Sequence, residues 1–95
     1  YNGFQIDGKT RDIMNLEPLA AKWQAFGWYV IEIDGHNMKE ILSAFDEVKT
    51  IKGKPAIIIA RTIKGKGVSF MENVLDFHGR APTPEEAERA LKELQ

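Results

Sequence analysis

The stretch "AIIIARTIKGKGVSF", Ala56 to Phe70, decides how the rest of the chain is read. Ala56 to Ala60 are continuously apolar, with three β-branched isoleucines in a row. A short, unbroken apolar run of this kind predicts a strand buried on both faces, as in a parallel sheet with helices above and below. The two lysines and two glycines of Lys64 to Gly67 leave its carboxyl end, where α/β sheets gather their ligands. Taken alone, that loop fits either a phosphate cradle or a solvated turn. It is neither a P-loop nor a dinucleotide fingerprint, because both need a helix to open immediately afterwards.

Upstream, Pro18 suits a first helical turn, and Leu19, Trp23 and Phe26 fall on one helical face. Gly27 is a C-terminal stop. "WYVIEI", Trp28 to Ile33, is β-branched and aromatic and predicts a second strand. Asp34 and Gly35 turn the chain. Asn37 and Glu40 have capping-box spacing, and Ile41, Leu42, Phe45 and Val48 predict a helical apolar face. The middle of the chain therefore reads α-β-α-β, with a right-handed crossover between parallel strands.

The ends are less regular. Residues 1–15 hold Asn-Gly and Asp-Gly pairs and read as a hairpin or meander. Residues 61–82 lack a period, and a loop that long in a compact domain is functional or disordered. Thr83, Pro84 and Glu86 open a closing helix with Ala87, Ala90, Leu91 and Leu94 on its apolar face. Two parallel strands make a poor core, so "AIIIA" is expected to lie beside further strands or beside another copy of the chain.

At 95 residues the chain is at most one small domain. Its 43% hydrophobic and 28% charged content is globular rather than disordered. The net charge of −1 argues against a nucleic-acid module, although Lys52, Lys54, Arg61, Lys64 and Lys66 crowd one region. The absence of cysteine removes disulfide frameworks and is compatible with a reducing cytoplasm. No apolar run approaches the roughly 20 residues of a membrane helix. The start at Tyr1, without an initiator Met, leads to the expectation of a piece of something longer.

His78 lies in "DFHGRAP", where a lone histidine before Gly is more often a turn residue than a catalyst, and His36 in "DGHN" sits where a helix begins and reads as structural or exposed. Asp7, Asp12, Asp34 and Asp76 show no metal-ligand spacing, and no nucleophile sits beside a base. The residues alone yield one ligand edge and no self-contained catalytic set.

Taken together, the segments resemble a known family. "YNGFQIDGKTRDIMNLEPLAAKWQAFGWYVIEIDGHN", "KPAIIIARTIKGKGVSFMEN" and "FHGRAP" with its closing helix are similar, in that order, to the second half of the thiamine-diphosphate-binding domain of transketolases. The likeness spans essentially all 95 residues and is nearest to transketolases split into amino- and carboxy-terminal subunits. It implies an α/β fold: part of a three-layer parallel sheet with helices on both faces, with residues 1–95 as the carboxy-terminal half of one domain. It implies a complete enzyme that moves a two-carbon ketol unit between sugar phosphates with thiamine diphosphate and Mg²⁺ or Ca²⁺.

By the same resemblance, Asn2 matches the Asn that closes the family's cofactor motif, so its side-chain oxygen is expected on the metal. The backbone carbonyl of Phe4 matches a second metal ligand. Ile63 matches an apolar contact to the cofactor, Lys64 is expected near a phosphate, and His78 matches a histidine that reaches diphosphate and substrate. The Gly-Asp-Gly that opens the motif is absent, as are the upstream histidines and the cofactor-activating glutamate. The isolated chain is therefore expected to be inactive, and to need the missing half of its domain and a carboxy-terminal subunit. A cytoplasmic homo-oligomer is expected, without nucleic acid or membrane as partner. A non-catalytic, self-associating remnant is the alternative; a phosphate- or RNA-binding module is a third reading, disfavoured by net charge and by the lack of a stacking platform near the lysines.

Overall fold

The computed structural model describes residues 1–95, which divide into two compact units. Tyr1 with Asn15–Thr62 forms the first, and Asn2–Met14 with Ile63–Gln95 the second.

The first unit is the α-β-α-β segment. Helix α2 (Leu19–Ala25), strand β3 (Tyr29–Asp34), helix α3 (Met38–Thr50) and strand β4 (Ala56–Arg61) follow in order; the elements that precede α2 in the chain belong to the second unit. β3 and β4 are parallel, in a register running from Tyr29 opposite Ala56 to Asp34 opposite Arg61. Both α2 and α3 pack on β3. This is an α/β architecture, as the apolar runs predict. Gly27 stops α2 at φ +86°, a conformation that disfavours any side chain. Trp28 is drawn out of the strand, since its N–H closes onto Trp23 O and its ring meets that of Trp23 at 4.8 Å.

Several details differ from the sequence reading. Pro18 precedes α2 as its cap residue instead of lying in the first turn. Phe26 lies just beyond the end of α2 and keeps to the expected face, lining a shallow apolar groove with Leu19 and Trp23, but that face is open and Phe26 is 81% exposed. In α3 the buried stripe is Ile41, Ala44 and Val48, with Ala44 the most enclosed. Leu42 and Phe45 are exposed. At about 100° per residue they lie some 100° and 40° round from Ile41, away from Ala44 and Val48. Asn37 caps α3 by accepting from Lys39 N and Glu40 N, but Glu40 reaches Asp34 N and Asn37 Nδ2 where a capping box would take Asn37 N.

The full burial expected of "AIIIA" is reached only at Ile59; Ile57 and Ile58 are half-buried. A two-stranded sheet cannot cover both of its own faces and edges. One edge of β4 is partly occupied: Tyr1 N donates to Ala60 O and Thr62 N donates to Tyr1 O. Bonds to the residues on either side of Arg61 are the pattern of a parallel ladder. At the carboxyl end of β4, Arg61 reaches Glu32 at 2.9 Å and Glu17 at 3.3 Å and stacks on Tyr1. The expected basic patch is thereby partly neutralised. No helix of the chain is long and apolar enough to cross a membrane.

The second unit opens with a hairpin, β1 (Phe4–Gln5) against β2 (Gly8–Lys9), joined by Ile6 and Asp7. Helix α1 (Thr10–Ile13) follows, unanticipated by the sequence reading, and Thr10 N ties back to Gly3 O. Residues 64–79 are a string of turns with a 3₁₀ turn at Leu75–His78, and 80–82 lead irregularly into the next helix. Helix α4 (Pro84–Glu93) has the predicted capping box between Thr83 and Glu86. Leu91 and Leu94, expected on its apolar face, are exposed instead, and Ala87 and Ala90 are half-buried.

Gly65 shows why the Lys-Gly loop is glycine-rich. Its φ is +72°, and a Cβ there would lie 2.5 Å from Met71 O. Gly65→Ala combines a strained backbone with a clash against main chain, and is expected to cost about 1–3 kcal/mol. Thermal melting of the variant checks this; a Tm equal to the parent's would contradict it.

Candidate functional site

Asn2 stands before a tight turn. Its Oδ1 accepts from Phe4 N at 3.0 Å, and Gly3 takes φ +76° to allow this. Such a local bond is what short amide side chains offer the backbone. It uses one lone pair of Oδ1 and leaves the other open. The Asn2 oxygen and the Phe4 main chain are thus held side by side.

Lys64 follows from the other end of the unit. Its carbonyl accepts from Asn73 N at 2.9 Å, which closes residues 64–73 into a compact loop. Within that loop Lys66 lies 3.7 Å from Glu72, which also accepts from Gly67 N. Lys64 forms no ion pair and is half-buried. Of the two lysines, Lys64 is the one with charge to offer a ligand.

The 3₁₀ turn supplies the third wall. Its side chains at i and i+3 eclipse, so Leu75 and His78 share one side. Asn2, Phe4, Lys64 and His78 converge with Gln5, Ile6 and Leu75 on one cleft of about 190 Å³. Ile63 neighbours Lys64 in sequence but does not line it. Gln5, Ile6 and Leu75 were missed by the sequence reading. His36 is exposed and belongs to the first unit.

The cleft is smaller than the roughly 300–1,000 Å³ of sites that enclose a whole organic ligand. It fits one end of a cofactor. A lining that includes Asn2, the Phe4 main chain and Lys64 would suit a diphosphate with its divalent metal, because hard cations take oxygen ligands and a lysine offsets phosphate charge. No group of three or more His, Asp or Glu could hold a metal by itself. The remaining ligands would therefore come from the diphosphate and from residues outside this chain.

The His78 turn is braced from behind. Arg80 N donates to Asp76 O at 3.2 Å, and its guanidinium stacks on Phe77 at 4.3 Å. The same guanidinium makes a two-pronged bond to Glu86, at 2.7 and 3.1 Å. Arg80, and after it the Thr83 N–H, hold the Glu86 carboxyl down to about 2 from an ordinary 4.5; Arg89 adds to this. A carboxyl whose pKa is depressed by folding stabilises fully above its unfolded pKa and loses that contribution as pH falls through the folded one. The Tm gap between parent and Glu86→Gln is therefore expected to stay constant above about pH 5.5 and to close between pH 4.5 and about 2. A gap independent of pH would contradict the pairing.

Residues 1–94 match the family described as transketolase, thiamine diphosphate binding domain. The chain belongs to this family. Among its transketolase relatives, the 6-deoxy-6-sulfo-D-fructose transketolase subunit SqwG of Clostridium sp. (strain MSTE9) is 52% identical over all 95 residues, which cover 34% of that protein. An apulose-4-phosphate transketolase subunit of Phocaeicola vulgatus is 41% identical over 93 residues, covering 98% of this chain and 33% of that one. The crystal structure of transketolase from Campylobacter jejuni superposes with a TM-score of 0.88 at 29% identity, over 98% of this chain and 14% of that one. The transketolase-like chain thus spans about a third of the length of the curated relatives it matches.

Proposed function

We propose that residues 1–95 are the carboxy-terminal half of the thiamine-diphosphate-binding domain of a split transketolase. In this reading they supply the diphosphate-and-metal end of its cofactor site. The observation that carries it is the convergence of Asn2, Phe4, Lys64 and His78 on one cleft. Asn2 Oδ1 and the Phe4 carbonyl would hold Mg²⁺ or Ca²⁺. Lys64 would offset the diphosphate charge, and Ile63 would make an apolar contact to the cofactor. His78 would donate a hydrogen bond to the diphosphate or the substrate and move a proton there. Thiamine diphosphate, when bound, supplies the carbanion sink for transfer of a two-carbon ketol unit.

The rest of the domain would extend the sheet past β3 and β4, and a carboxy-terminal subunit would complete the site in a cytoplasmic homo-oligomer. The names of the relatives join a ketose to a terminal anion, sulfonate in one and phosphate in the other. An anionic sugar, a sugar phosphate or its sulfonate analogue, is accordingly the proposed substrate class. The full-length protein, assembled with its partner subunit, should bind thiamine diphosphate in the presence of Mg²⁺ and transfer a two-carbon unit from one of these sugars. Calorimetry and a coupled transfer assay test both steps. Absence of saturable cofactor binding would overturn the reading.

A further inference from the structure

Helix α4 does not touch the cleft, yet each of its ends is bonded to a segment that forms one wall. At its amino-terminal end Glu86 grips Arg80, two residues beyond His78, with both carboxylate oxygens. At its carboxyl end Glu93 accepts from Ser69 N at 2.6 Å and from Ser69 Oγ at 2.9 Å. Ser69 lies in the loop that carries Lys64. Gly67 in that loop also approaches the helix so closely that a Cβ there would lie 3.1 Å from Leu94 Cδ2. A middle rung joins the two walls: Arg89 stacks on Phe70 at 4.5 Å, and Phe70 meets Phe77 edge-on at 6.1 Å.

The arrangement is more than general packing. α4 buries no residue fully, and its leucines at 91 and 94 are exposed. Its hydrogen bonds and ring contacts to other segments come from Glu86, Arg89 and Glu93 and go to the two wall segments, beside the close approach of Leu94 to Gly67. A ten-residue helix is about 15 Å long and stiff, so it fixes the distance between its end points. Bonds of a carboxylate to N–H and guanidinium donors are the stronger kind available on a protein surface.

We propose that α4 is a strap that sets the separation of Lys64 and His78, with Glu86 and Glu93 as positioning residues for the diphosphate cleft. Neither carboxylate touches the cofactor in this scheme. Glu86 acts through Arg80 and Glu93 acts through Ser69. The functional consequence rests on the cofactor reading above; the mechanical one does not. A diphosphate needs its cationic and hydrogen-bonding partners at a fixed spacing, so a loosened strap lowers cofactor affinity without removing any contacting group.

Three variants of the full-length protein test this: Glu86→Gln, Glu93→Gln, and Glu88→Gln as a control, since Glu88 pairs only with Lys92 on the same helix. Glutamine keeps the capping-box acceptor at position 86, so α4 should still form. The readouts are amide hydrogen exchange of residues 64–72 and 76–82, and the Kd for thiamine diphosphate with Mg²⁺. Glu93→Gln should speed exchange about threefold in 64–72 and leave 76–82 unchanged; Glu86→Gln should do the reverse. Each should weaken cofactor binding about three- to tenfold, and Glu88→Gln should do neither. The strap is overturned if both wall segments exchange as in the parent, or if α4 itself loses protection as much as they do. A parent protein that binds no thiamine diphosphate, yet shows the selective exchange pattern, would overturn the cofactor reading and support the strap.

Discussion

Asn2→Ala in the full-length protein is expected to weaken Mg²⁺-dependent binding of thiamine diphosphate by at least about tenfold, a loss typical of residues that hold or orient a metal. The side chain is exposed, so little packing is lost with it. What is lost is Oδ1, which accepts from Phe4 N and has a second lone pair to offer a cation. Removal deletes one proposed metal ligand and frees the turn that aims the other, the Phe4 carbonyl. Asn2→Asp separates the two effects. It keeps an oxygen for the turn and adds charge for the cation, so metal-dependent binding should largely return. Calorimetric titration at fixed Mg²⁺ reads the difference. An unchanged Kd in Asn2→Ala would remove Asn2 from the site.

His78→Ala is expected to lower kcat about 10²- to 10⁴-fold, the usual contribution of a positioned acid–base group. The same change should barely move Tm. His78 is exposed at the end of a 3₁₀ turn whose bracing comes from Phe77, Arg80 and Asp76, not from the imidazole. Side chains outside a packed or capping role seldom change stability by more than about 0.5 kcal/mol. Steady-state kinetics of the assembled protein, paired with a thermal melt, decides between roles. Normal turnover with a Tm several degrees lower would make His78 a structural residue.

The α-β-α-β order was legible because its signals are local. Gly27 stops one helix, Asn37 opens the next, and the β-branched runs on either side cannot hold a helical period. Which face of each helix is covered was not legible. Leu42, Phe45, Leu91 and Leu94 were read as core because an apolar stripe looks the same in sequence whether its cover is in the chain or outside it. The incomplete burial of "AIIIA" has the same cause. Position 44, an alanine, was passed over although it is the most enclosed residue of α3, because small residues add little to an apolar pattern.

For the site, residue chemistry gave only the Lys-Gly loop at a strand's carboxyl end. Asn2, Phe4 and His78 came from family resemblance, since the cleft is assembled from the two ends of the chain and no spacing encodes that. Leu75 follows from His78 once a 3₁₀ turn is known, but Leu-Asp-Phe-His carries no marker for one. The Arg80–Glu86 pair was equally hidden: Arg80 lies before the helix, so helical periodicity does not connect the two.

The most direct test of the central claim is a crystal structure of the full-length protein with thiamine diphosphate and Ca²⁺. Asn2 Oδ1 and the Phe4 carbonyl oxygen should lie at about 2.3–2.6 Å from the cation, the distances of oxygen ligands to Ca²⁺. Lys64 Nζ and a His78 ring nitrogen should lie within about 3.2 Å of diphosphate oxygens or of a bridging water. A cation bound by the diphosphate with Asn2 and Phe4 outside its coordination sphere would contradict it.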